Sequence, residues 1–256
     1  MTTTYKNAPI SFTSQGNGNP LVLLHGFLET KEIWKDFTAE LSAKRQVICI
    51  DLPGHGGSGN FAEIHTMSDM AEAVKAVLNE LDIAKASFAG HSMGGYVSLE
   101  FQNIFPTIIN SLVLLNSTPK ADSEERRVNR DRAATLVLKN KRAFVSMAMS
   151  NLLTPENNKI FKSQVGVLKN RALQFSSAGI YAAIKGMKIR TDHTELFAKF
   201  NGQKIVVAGE YDSVLEYDRI KTTAIRCKAT FCSLPDGHLS FLENQTELRG
   251  ILHFID

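Results

Sequence analysis

Five residues, Gly90-His91-Ser92-Met93-Gly94, have the types that covalent chemistry at a carbonyl would need: a serine hydroxyl flanked by glycines. They fall between a β-rich run, ASFAG at 86–90, and a run with helical periodicity that continues to Phe105. A sharp strand-to-helix turn at that place lifts a serine Oγ clear of the sheet, and side chains at Gly90 or Gly94 would collide with neighbouring backbone. Ser92 would also stand at a helix N-terminus, where free N–H groups and the helix dipole favour developing negative charge.

A serine hydroxyl is a weak nucleophile at neutral pH, so it needs a base, and the base needs an acid to orient it. Seven histidines compete for the first role. His25, His55 and His91 lie in turn motifs before or beside the serine, His65 is expected to start a helix, His193 closes a long helical stretch, and His253 lies within the last helix. His238 falls in LPDGHLSF, a turn-prone loop between the last strand and the last helix, and is the expected base. For the acid, the loop after Lys204–Gly209 offers Glu210 and Asp212. Asp212 is preferred because the strand has ended there, whereas Glu210 directly follows Gly209 and serves the turn. The loop after the preceding strand holds Asn116, whose amide carries no charge. The order is then Ser92, Asp212, His238, which differs from both serine-protease orders.

The elements that must position these residues alternate. Ile10–Thr13, Leu21–Leu24, Gln46–Ile50, 86–90, Ser111–Asn116, Lys204–Gly209 and 229–233 read as strands. Helical stripes separate them at 30–43, 67–82, 91–105 and 214–226, with a last helix from about 242. GNGN at 16–19 reads as a hairpin turn; no helix follows it, so it is not a phosphate loop. Strand and helix alternating in this way imply parallel βαβ units, an α/β sheet covered on both faces. The rhythm breaks between 119 and 193, where no β-rich run occurs. The expected organisation is a core of residues 1–118 and 194–256 interrupted by a helical insertion at 119–193.

His25-Gly26-Phe27, Asp51-Leu-Pro-Gly-His-Gly-Gly-Ser58, the elbow at 90–95, Gly209-Glu-Tyr-Asp212 and Gly237-His238 follow one another in this order. On these motifs the chain resembles the α/β-hydrolase fold family over nearly everything outside 119–193. The resemblance implies a mostly parallel sheet with helices on both faces and a helical cap formed by the insertion. It implies an oxyanion hole built from the backbone N–H groups of Phe27 and Met93, with His25 bracing that loop. A serine at the elbow separates the chain from the dehalogenase and epoxide-hydrolase branches, which resemble this fold but use aspartate. The expected reaction is cleavage of carboxylic esters, thioesters or lactones of small to medium size through an acyl-enzyme. Carbon–carbon bond hydrolysis uses the same machinery, and a ligand sensor without turnover could retain it. His25, His91, Phe144, Met147 and Tyr181 are the expected pocket residues. This chemistry calls for no cofactor and no metal.

Composition narrows the partners. The 256 residues are 43% hydrophobic and 21% charged, ordinary globular material with room for a sizeable core. No apolar run reaches the ~18 residues a membrane helix needs. The first residues lack a basic-then-apolar leader profile, and three unpaired cysteines suit a reducing compartment, so a cytoplasmic monomer or homodimer is expected. Between Pro119 and His193, fifteen Lys and Arg face six Asp and Glu. No nucleic-acid motif accompanies this basic block, which is expected to be a solvated helical face. The expected partner is a small ester-like molecule, with neither nucleic acid nor membrane.

Overall fold

Continuous runs of Val, Ile and Leu can be strands only where both faces of a sheet are covered, and here they form its middle. The computed structural model of the chain describes residues 1–150, 152–253 and 255. Eight strands, β1 (Thr2–Tyr5), β2 (Ala8–Gln15), β3 (Pro20–Leu24), β4 (Gln46–Ile50), β5 (Ala86–His91), β6 (Ile109–Leu115), β7 (Gln203–Gly209) and β8 (Thr230–Leu234), form one sheet in the order 1-2-4-3-5-6-7-8. β1 and β2 pair antiparallel, as do β2 and β4; every later pairing is parallel. In β3 the four residues Leu21–Leu24 are fully buried.

Two local readings need correction. GNGN does not close a hairpin, because β4 lies between β2 and β3 in the sheet. The true hairpin is β1–β2, turned by Lys6 and Asn7 at φ 47° and 62°. Two successive left-handed residues give the twist that a two-residue hairpin requires.

Helices fill the crossovers. A 3₁₀ turn at Lys31–Trp34 leads into α1 (Lys35–Leu41); α2 is Met67–Glu80 and α3 is Met93–Ile104. His65 stands outside α2, because the next residue, Thr66, is its cap: Thr66 Oγ1 accepts from Asp69 N at 3.0 Å and Thr66 N donates back to Asp69 Oδ2 at 3.2 Å. Between β6 and β7 the regular elements of the described residues are all helices, α4 (Glu124–Met149), α5 (Asn157–Ile160), α6 (Lys162–Ala172), α7 (Ser177–Lys188) and α8 (Thr194–Lys199). α9 (Tyr217–Arg226), α10 (Ser240–Glu243) and α11 (Gln245–His253) complete the chain. α4 packs along α7 and is broken at Asn140, where φ is −155° and ψ 81°. None of the described helices is long and apolar enough to cross a membrane.

Candidate active site

The loops leaving the carboxyl ends of β3, β5, β6, β7 and β8 converge, which is where open α/β sheets bind ligands. Ser92 occupies the turn from β5 to α3 with φ 48° and ψ −110°, a backbone that side chains rarely adopt. A Cβ at Gly90 would lie 2.4 Å from the backbone of Gly94, and one at Gly94 would lie 2.5 Å from Leu24 O. Only glycines allow strand, helix and β3 to approach this closely. Ser92 N donates to Leu115 O at 2.9 Å, and Ser117 Oγ donates to Ser92 O at 2.8 Å, so both ends of the strained peptide are held.

His238 Nε2 lies 3.0 Å from Ser92 Oγ, and His238 Nδ1 lies 2.8 Å from Asp212 Oδ2. A carboxylate only accepts, so Nδ1 carries the proton and Nε2 is left to accept from the serine hydroxyl. Asp212 Oδ1 takes the N–H groups of Val214 and Leu215 at 2.8 and 3.0 Å. Burial pushes the Asp212 carboxyl up, but the His238 ring and these hydrogen bonds outweigh it and hold the carboxyl below its ordinary range. Glu210 faces away, with Oε1 accepting from Ser233 Oγ at 2.7 Å.

The backbone N–H groups of Phe27 and Met93 make no hydrogen bond among the described residues, and the Phe27 loop and Ser92 border the same cavity. His25 braces this loop from behind. Its Nδ1 donates to Gly26 O at 2.7 Å and its Nε2 accepts from Leu52 N at 2.9 Å, so it is buried and does not line the pocket. His91 is also behind the site. Its Nε2 donates to His238 O at 2.9 Å and its Nδ1 meets Glu29 Oε2 at 2.9 Å. One of those partners is a carbonyl and the other a carboxylate, so each ring nitrogen faces an acceptor, an arrangement that favours the imidazolium. Burial disfavours that charge, yet Glu29 and the His238 carbonyl raise the His91 pKa above its ordinary value. Glu29 Oε2 also accepts from Gly26 N at 2.6 Å, tying elbow, oxyanion loop and histidine loop together.

A cavity of about 520 Å³ opens over Ser92 and His238. Phe144 lines it, whereas Met147 is 56% exposed and does not border it. Tyr181 packs against the core without reaching the cavity. Sequence reasoning set Asn116 aside as an uncharged amide, but its Nδ2 donates to Asp212 Oδ2 at 3.2 Å and to Gly237 O at 3.1 Å, clamping the two loops. It missed Tyr96, Arg126 and Arg130, which border the cavity. Among the described residues no group of three His, Cys, Asp or Glu side chains could hold a metal ion.

The chain belongs to the alpha/beta hydrolase fold family, whose model matches residues 19–245. It is similar to a thermophilic esterase from Thermogutta terrifontis, at 26% identity and a TM-score of 0.91 over 96% of this chain and 92% of that one. It also resembles a putative carbamate hydrolase from Azorhizobium caulinodans, 26% identical over 77% of this chain and 72% of that protein. A third relative is the dihydrolipoyllysine-residue acetyltransferase component of an acetoin cleaving system from Pseudomonas putida, 46% identical over 39% of this chain. The chain spans 27% of that relative's length, and 39% of the length of a putative non-heme haloperoxidase from Mycobacterium phage D29.

Proposed function

We propose that this protein is a serine hydrolase cleaving carboxylic esters, thioesters or lactones of small to medium size through an acyl-enzyme. The observation that carries this reading is the unbroken line from Ser92 Oγ through His238 to Asp212, 3.0 and 2.8 Å, at the wall of a cavity of about 520 Å³. Ser92 Oγ attacks the carbonyl carbon as its proton passes to His238 Nε2. The tetrahedral oxyanion is received by the N–H groups of Phe27 and Met93, each such donor being worth roughly 2.7–4 kcal/mol by the loss seen when one is removed. His238 then gives the proton to the leaving oxygen or sulfur, and water, activated by the same imidazole, releases the acid. Asp212 fixes the tautomer and stabilises the imidazolium without itself being protonated. The helices between β6 and β7 act as a cap that selects the substrate.

The test is active-site labelling with a fluorophosphonate, followed by peptide mapping and turnover of p-nitrophenyl esters. One adduct on the Ser92 peptide is expected, lost in Ser92→Ala. Ser92→Ala and His238→Ala should each abolish most turnover, and the double variant should lose little more, because triad members act as a unit. Labelling elsewhere, or additive losses, would overturn the assignment.

A further inference from the structure

The basic residues of the helical segment were expected to face solvent, yet some of them form a wall of the cavity. Arg126, Asn129 and Arg130 border it from α4 and Tyr96 borders it from α3, one helical turn from Ser92. Three guanidiniums converge on one buried carboxylate. Asp122 Oδ1 meets Arg126 Nε at 3.2 Å and Arg190 Nη1 at 2.7 Å, and Asp122 Oδ2 meets Arg130 Nε at 3.1 Å. Three positive charges face one, and Arg126 and Arg130 carry the excess to the cavity wall. The other carboxylates at the cavity do not cancel it: Glu29 is held by His91, and Glu125 is exposed to solvent.

The donors of this wall are unequally committed. Arg126 Nη1 is engaged by Val214 O at 2.8 Å, and Arg190 donates to Lys120 O and Met187 O. Arg130 is bonded through Nε alone among the described residues, which leaves its two terminal nitrogens as a planar fork. The Tyr96 hydroxyl likewise makes no hydrogen bond among the described residues, and Arg190 Cζ stacks 4.1 Å from the centroid of its ring, fixing it. A guanidinium fork and a phenol hydroxyl lining the same cavity fit a planar anion, and Phe144, Ala133, Ile184 and Met187 supply an apolar stretch of its wall.

We propose that the substrate carries a carboxylate several bonds from the scissile carbonyl, received by Arg130 and the Tyr96 hydroxyl, with the apolar wall covering the methylenes between. This inference rests on the hydrolase reading above and names its substrate class.

The experiment compares two matched pairs: mono-p-nitrophenyl adipate against p-nitrophenyl hexanoate, and 4-acetoxybenzoate against 4-acetoxytoluene. The pairs place the carboxylate on the acyl or the alcohol side. In one pair the anionic ester should be favoured at least tenfold in kcat/KM, mainly through KM. That ratio should fall to about one in Arg130→Met, partly recover in Arg130→Lys and drop in Tyr96→Phe. Lys139→Gln, an exposed change on α4, should keep it. Fluorophosphonate labelling of Ser92 is read in every variant. If Ser92 labels and neutral esters turn over, but neither pair shows the preference or it survives Arg130→Met, the inference falls and the hydrolase reading stands. If the unaltered protein neither labels nor turns over any ester, both fall together.

Discussion

Ser92 holds its φ of 48° against a cost of about 1–3 kcal/mol, and it persists because Leu115 and Ser117 grip the peptide from both sides. Strain kept only to present a hydroxyl should be released by losing the side chain. Ser92→Gly is therefore expected to raise the midpoint of thermal unfolding by about 2–4 °C, the equivalent of ~1 kcal/mol, while abolishing turnover. A lower midpoint would mean that the elbow is relaxed. The acid is argued at the same scale. Asp212→Asn keeps the volume but replaces the charge with an amide that cannot stabilise an imidazolium and can hold the ring in the wrong tautomer, so kcat should fall by about 10⁴ with the fold intact, as read by steady-state kinetics beside circular dichroism. Glu210→Gln, at a side chain that hydrogen-bonds Ser233 away from the site, should change kcat less than about threefold; the reverse ranking would move the acid to Glu210. That Ser92, His238 and Asp212 come together was legible because their identity and loop position are written in short motifs. Asn116, Tyr96 and Arg130 were not, because an amide, a phenol or a guanidinium acquires its role from neighbours up to 121 positions away, as Asn116 does from Gly237.

Among the elements, α4 shows what periodicity cannot reveal. The insertion reads as helical, yet within α4 Asn140 leaves helical geometry and its Oδ1 accepts from Ala143 N at 3.0 Å, capping the second half anew. Lys141 Nζ then donates to Leu173 O at 2.8 Å and Phe175 O at 2.7 Å, pinning that half onto the end of α6. The break allows Arg126, Arg130 and Ala133 from one half and Phe144 and Ala148 from the other to border one cavity. Asn140→Ala removes the cap and favours a continuous helix. It should lower stability by about 1 kcal/mol and shift the acyl-chain length that gives the highest kcat/KM, with Ser92 labelling retained. An unchanged chain-length profile across p-nitrophenyl esters would show that the break does not shape the pocket. The β1–β2 hairpin was missed for a related reason. Lys6-Asn7 lacks the glycine that usually announces such a turn, and its conformation is set by the strands it joins.

At the scale of the whole molecule, the parallel core was legible because both-face burial demands unbroken apolar strands, whereas pH response depends on which carboxylates the fold encloses. Asp236 lies where the chain leaves β8 for α10, buried, with Oδ2 unpartnered among the described residues. Burial first, and then the neighbouring Glu243 charge, push its carboxyl up to about 6, although Ser240 and Asn244 pull it the other way. An unfolded aspartate titrates at about 3.9. Between those two values the folded chain keeps a proton that the unfolded chain has lost, so stability from this group is full below about 3.9 and lost as pH rises through about 6. Asp236→Asn is neutral throughout and keeps the volume of the side chain. Its unfolding midpoint should match the unaltered protein near pH 4 and exceed it by pH 7, the gap opening between those limits. Thermal melts across that range provide the check. A gap of constant size would mean that Asp236 titrates alike in the folded and unfolded chain, and a gap that widens towards acid would reverse the sign of its contribution.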